Sequence, residues 1–262
     1  MLARVNSKTP LLVAKGVSKR FGAVQALVDV DFDVDAGEVV ALVGDNGAGK
    51  STLIKAIAGV QPADTGEYWI DGEPVSLRSP TDAAQVGIAT VYQDLALCDN
   101  LDVVANLYLG SELVEPGLGR IRRTLDETAM ERRTRELLAA LAVTTLDSPR
   151  AHVGSLSGGQ RQAVAIARSL VTHPRVLILD EPTAALGVIQ TAQVLALIEH
   201  LRAQGLAIVV ISHNLDNVFH VADRIAVLRL GRRVATFDRR NSAREDVVAA
   251  ITGAAVRTAV AA

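Results

Sequence analysis

"GDNGAGKS", residues 44 to 51, follows the apolar run "EVVALV" (38–43) and leads into "TLIKAIAG" (52–59). It fits G-x-x-x-x-G-K-[ST] at every fixed position. An apolar run of strand length, a glycine-rich turn and an apolar helix-like segment make a strand–loop–helix unit. Gly44, Gly47 and Gly49 let the backbone curl so that successive N–H groups face one anion. The helix behind the turn adds the partial positive charge of its N-terminus. The loop therefore predicts a cradle for nucleotide phosphates, built from Gly44, Asp45, Asn46, Gly47, Ala48, Gly49, Lys50, Ser51 and Thr52. Within it Lys50 reaches the β- and γ-phosphates and the Ser51 hydroxyl ligates Mg²⁺.

The rest of the chain suits such a loop. Its 262 residues are 49% hydrophobic, enough to fill one α/β domain carrying an inserted lobe. A formal net charge of −2 argues against a strongly basic nucleic-acid binder. The single Cys98 forms no internal disulfide and suits a reducing compartment. The longest apolar stretches, such as "LAIVVI" (206–211), are strand length, well below the roughly 20 residues of a spanning helix. The N-terminus lacks a sustained signal-peptide core, so the expected location is cytoplasmic.

Outward from the loop, "VDVDFDVD" (28–35) alternates apolar residue and Asp with period two, the pattern of a half-buried antiparallel strand. That period sets Asp29, Asp31, Asp33 and Asp35 side by side on a solvated face. Hairpin-like segments around "DTGEYWIDGEPV" (64–75) and a strand at 88–94 follow. Residues 95–155 turn helical ("LDVVANLYLG", "LDETAMERRTRELLAALA") around a Gly/Pro connection at 115–120, and form the candidate helical subdomain. The α/β rhythm then resumes: a helix at 160–172, the strand "RVLILD", a helix with Val194, Leu197, Ile198 and Leu201 on one face, the strand "LAIVVIS", and the hairpin "RIAVLRLGRRVATF". Strands alternating with helices predict a mostly parallel sheet. The fold expected is an α/β phosphate-loop NTPase core with an antiparallel N-terminal β subdomain. It spans 1–262 as one domain: core 1–94 and 156–240, helical subdomain 95–155, and a C-terminal helix with a frayed tail over 241–262.

Further residues carry chemistry. "VLILDEP" (176–182) puts Asp180 and Glu181 at the carboxyl end of a buried strand, where open α/β sheets bind ligands. Asp180 is placed to hold Mg²⁺ and Glu181 to polarise the attacking water. Gln93 and His213 each leave a strand where a polar side chain senses the γ-phosphate, its water or, for Gln93, the metal. "LSGGQ" (156–160) sets a serine and two glycines at the head of an apolar helix. That is a second anion-binding turn, with an ordinary helix cap as its plainer reading.

The order Phe21, phosphate loop, Gln93, "LSGGQ", "VLILDEP" and His213 closely resembles the nucleotide-binding subunit of ATP-binding cassette (ABC) transporters. The resemblance implies a head-to-tail dimer with ATP between two subunits. One chain's phosphate loop holds the nucleotide, and Ser157, Gly158, Gly159 and Gln160 of the other cover its γ-phosphate. It also implies Phe21 stacking on adenine, membrane-spanning permease subunits that contact Gln93 and the helical lobe, and no nucleic acid. After "DEPTAAL" most cassettes have an aspartate; this chain has Gly187, which bears on the exchange between the two sites. "EPTAALGV" is similar to ATPase subunits of bacterial monosaccharide importers of ribose, fructose or xylose type, which work with a periplasmic solute-binding protein. This chain has one cassette, so it is expected to pair with its own copy, peripherally on the inner face of the membrane. The alternatives are a subunit for a non-sugar solute or an exporter, and a soluble ABC ATPase.

Overall fold

A computed structural model describes residues 10–117, 124–141, 143, 146 and 148–254. In chain order the main elements are β1 (Leu12–Phe21), β2 (Val24–Val34), β3 (Val39–Val43), α1 (Lys50–Ile57), β4 (Thr65–Ile70), β5 (Glu73–Val75), α2 (Pro80–Gln85), β6 (Ile88–Val91) and α3 (Val103–Tyr108). There follow α4 (Glu127–Ala140), α5 (Gly158–Leu170), β7 (Val176–Asp180), α6 (Val188–Ala203), β8 (Ala207–Ile211), α7 (Leu215–Val221), β9 (Arg224–Arg229), β10 (Arg232–Asp238) and α8 (Arg244–Thr252).

Two sheets result. A six-stranded sheet runs β10-β9-β3-β8-β7-β6, parallel except for β10 against β9. A four-stranded antiparallel sheet runs β2-β1-β4-β5. Parallel strands are covered on both faces, and β3 and β8 are accordingly buried at every residue. Period two divides their side chains between two cores. Val39, Ala41, Val43, Leu177, Leu179, Ile208 and Val210 face the layer that holds α3, α4, α5 and α6. Val40, Leu42, Val176, Ile178, Val209 and Ile211 face the layer shared with α1 and the antiparallel sheet. The expected α6 stripe of Val194, Leu197, Ile198 and Leu201 is buried.

Several boundaries differ from the sequence reading. Helix α5 starts two residues early, at Gly158, because Ser157 and Gln160 close a capping box there. It stops at Leu170, ahead of His173, whose φ of +51° no helix accommodates. Strand β6 stops at Val91, which frees Tyr92 and Gln93 from the sheet.

The aspartates of β2 also depart from a uniform solvated row. Asp29 sits at φ +50° within a strand of irregular register, and Asp31 accepts the Gly16 N–H at 2.9 Å. Asp33 is half-buried in an ion pair with Arg224 at 3.0 Å, because the β9–β10 hairpin closes over that edge. Among the described residues no helix is long and apolar enough to cross a membrane. Half of the expected Gly/Pro connection (118–120) and the expected frayed tail from 255 onward lie outside the described residues.

Candidate functional site

The site begins where β3 ends. A Cβ on Gly44 would lie 2.2 Å from the Leu228 carbonyl, and one on Gly49, at φ +105°, 2.7 Å from that of Ala26. The loop is therefore clamped between β9 and β2, and only glycine fits at these two points. Helix α1 opens at Lys50, and its first N–H groups, which in any helix lack an intrahelical acceptor, are capped by no side chain among the described residues. Lys50 folds back across the loop, its Nζ donating to the carbonyls of Gly44 (2.6 Å) and Asp45 (3.0 Å). Asp45, Asn46, Gly47, Ala48, Ser51 and Thr52 complete the turn, with Ser51 exposed.

Sheet register brings the acidic pair beside this loop. Leu42 of β3 and Asp180 of β7 both pair with Ile211 of β8, so the three strand ends form one row. Val91 of β6 pairs with Leu179, which puts Gln93 just beyond the same row. Burial lowers the Lys50 ammonium from its ordinary value, against the raising pull of Glu181, Asp45 and Asp180. Burial also raises the Asp180 carboxyl, aided by Glu181 and opposed by Lys50 and Lys55.

Glu181 leaves β7 at φ +51°, a left-handed backbone that non-glycine residues adopt at a cost of about 1–3 kcal/mol. Its N–H donates to the Ile211 carbonyl at 2.9 Å, which fixes the turn. Its carboxylate bonds the Nδ1 of His213 at 2.8 Å; the carboxylate is largely buried and the imidazole largely exposed. The structure thus joins Glu181 and His213 directly, 32 residues apart in sequence.

The second anion turn stands apart. Ser157 Oγ accepts from the Gln160 N–H at 3.4 Å, and Gln160 Oε1 accepts from the Ser157 N–H at 2.8 Å. Ser157 is thus a helix cap whose hydroxyl accepts that bond and retains its own hydrogen as a donor. Ser157 and Gly158 are exposed. A Cβ on Gly158 would lie 3.0 Å from the Leu186 side chain, and one on Gly159 3.0 Å from that of Gln190 in the first turn of α6, so both turns pack closely. Gly187 caps α6 with its N–H on Gln190 Oε1 at 3.1 Å, and a Cβ on it would make an ordinary contact with that oxygen at 3.8 Å.

Phe21 ends β1 opposite Val24, two residues before the Ala26 carbonyl that packs on Gly49. It is 43% exposed, which rules out core packing. Lys19 lies over its ring, a neighbour missed in sequence although period two puts both on one strand face. Among the described residues no cluster of three or more His, Cys, Asp or Glu forms a metal cage. The oxygen donors at hand, Ser51 and Asp180, suit Mg²⁺, which is bound through one or two protein oxygens together with phosphates and water.

The family described as ABC transporter matches this chain over residues 27–184. This chain belongs to the ABC transporter family. The cassette is 48% identical over 249 residues to the "Fructose import ATP-binding protein FrcA" of Rhizobium meliloti, covering 95% of this chain and 96% of that protein. It is 42% identical to the "Ribose import ATP-binding protein RbsA 2" of Burkholderia pseudomallei (strain 1710b), where it spans 96% of itself but only 48% of that longer protein. Among solved structures, the ABC cassette MJ1267 superposes with a TM-score of 0.81 at 26% identity, covering 94% of this chain and 99% of that one. The dimeric bacterial ABC cassette MJ0796 superposes with a TM-score of 0.71 at 25% identity, over 88% and 100%. ATP binding and hydrolysis are the activity of such a cassette.

Proposed function

We propose that this cassette is the ATPase of a monosaccharide importer of the fructose or ribose class, acting as a head-to-tail homodimer with ATP at the interface. The observation that carries this reading is a chain with two separate anion turns, one beside a strand-end carboxylate bonded to histidine. Each turn is half of a site. The loop 44–52 and Lys50 grip the phosphates, and Phe21 stacks on the adenine. Ser157, Gly158 and Gly159 of the opposite copy close over the γ-phosphate, while Gln160 holds their turn in shape.

Glu181 takes the proton of the attacking water, and its strained backbone and the His213 bond aim the carboxylate before the nucleotide arrives. Gln93 orients the same water and reports on the γ-phosphate. Ser51, Gln93 and Asp180 would hold Mg²⁺, which would neutralise phosphate charge. Permease subunits dock on the helical lobe from the membrane, a periplasmic binding protein delivers the sugar, and the cassette sits on the cytoplasmic face.

Two measurements test this. Ser157→Arg is expected to keep single-chain ATP affinity and lose turnover; an equal loss of both overturns the shared site. Membranes carrying this cassette together with a monosaccharide-importer permease and a sugar-binding protein are expected to hydrolyse ATP faster on addition of fructose or ribose. Stimulation by a different solute class alone overturns the sugar assignment.

A further inference from the structure

Lys19 is held more firmly than a surface lysine requires. Its side chain is only 17% exposed, and its Nζ donates to the Pro62 carbonyl at 2.7 Å and to Asp64 Oδ1 at 2.8 Å. The other oxygen of Asp64 accepts the Arg20 N–H at 2.7 Å, and the Asp64 N–H donates to the Ser18 carbonyl at 2.9 Å. Lys19 and the Arg20 amide together hold the Asp64 carboxyl below its usual range. The clamp thus ties the end of β1 to the entry of β4, and the ammonium sits over one face of the Phe21 ring, 5.6 Å from its centroid. A cation within about 6 Å of a ring centroid is attracted to its π-face.

We propose that Lys19 is a positioning residue for adenine recognition: fixed by Asp64 and Pro62, it holds Phe21 from behind and presents the opposite ring face to the base. The inference rests on the reading that Phe21 stacks on adenine. A free, exposed phenyl ring loses rotamer freedom when a base stacks on it, whereas a ring already held loses less. The benefit falls on binding of the purine and leaves phosphate contacts and the chemical step alone.

The test measures equilibrium affinity for ATP and for inorganic tripolyphosphate, which lacks a base, together with steady-state turnover. Lys19→Met is expected to weaken ATP binding about two- to tenfold. That loss should appear in KM and not in kcat, with tripolyphosphate affinity unchanged. Lys19→Arg, whose guanidinium also stacks on aromatic faces, is expected to restore ATP affinity. In a Phe21→Ala background Lys19→Met should cost nothing further. Full ATP affinity in Lys19→Met, with Phe21→Ala impaired, overturns the clamp and leaves base stacking intact. Equal weakening in the Phe21→Ala background, or of tripolyphosphate, shows an effect through the fold or the phosphates and also overturns it. Full ATP affinity in Phe21→Ala overturns the stacking reading, and the clamp with it.

Discussion

At the scale of single residues, the site is built at some cost to the fold. Asp180 holds its proton to higher pH when folded than when unfolded, because burial and Glu181 disfavour its charge. The penalty for ionising it is thus absent below the unfolded carboxylate range and complete above the raised folded value, so stability falls as pH rises through that interval. Lys50 is the mirror case. Its folded value is lowered, so the penalty is present at neutral pH and fades as pH rises toward the ordinary lysine range. Asp180→Asn is accordingly expected to raise the melting temperature at pH 7, with a smaller gain at pH 3. Turnover should fall by about 10–100-fold, the usual effect of losing a group that steadies a metal. An unchanged melting temperature at pH 7 would contradict the burial argument.

A second residue tests burial without catalysis. Among the described residues the buried Tyr68 hydroxyl has no hydrogen-bond partner, and burial pushes its pKa up to about 12. Tyr68→Phe removes an unsatisfied group of a kind that costs about 1–3 kcal/mol. Its urea midpoint is expected to rise, and a lower midpoint would point to a partner for the hydroxyl.

At the scale of elements, helix α5 couples architecture to chemistry. Ser157 caps the helix and, in the proposed site, offers a hydroxyl to an anion, and one substitution separates the two roles. Aspartate is as good an N-cap as serine but carries a negative charge. Ser157→Asp should therefore unfold at the wild-type temperature while losing turnover. A loss of stability of about 1 kcal/mol, the usual cost of a lost cap, would show that aspartate fails as a cap here. The phosphate loop is the converse case, since its neighbours leave no choice of residue. Gly49→Ala pushes a Cβ into the Ala26 carbonyl at a φ foreign to alanine. It is expected to lower the melting temperature and ATP affinity together, because it displaces the β1–β2 hairpin that carries Phe21. Both elements were legible in the sequence. The capping pair and the glycines are local signals, read over a few residues. The early start of α5 escaped the reading because the capping box, more than the apolar period, sets the first turn.

At the scale of the molecule, the two half-sites proposed above demand a partner. Glu181→Gln is expected to retain ATP, lose about 10²–10⁴-fold in turnover and sediment as a stable dimer with ATP bound. A single chain that holds ATP and remains monomeric in that variant would undo the shared-site account. Gly187 bears on the same assembly: a Cβ there would meet only Gln190 Oε1, at 3.8 Å among the described residues, so Gly187→Asp is sterically tolerated and reports on whether an acid there alters coupling between the sites.

The sequence by itself determined the phosphate loop, the strand-end acids, the two kinds of sheet and the buried stripe of α6. Each is written in short-range spacing and period, which the backbone converts directly into local shape. Only the tertiary structure decided that Glu181 meets His213, that Asp33 pairs with Arg224, and that Lys19 is pinned beneath Phe21 by Asp64. Those contacts join strands brought together by sheet order and register. Register is a property of how whole elements pack, and no local spacing records it.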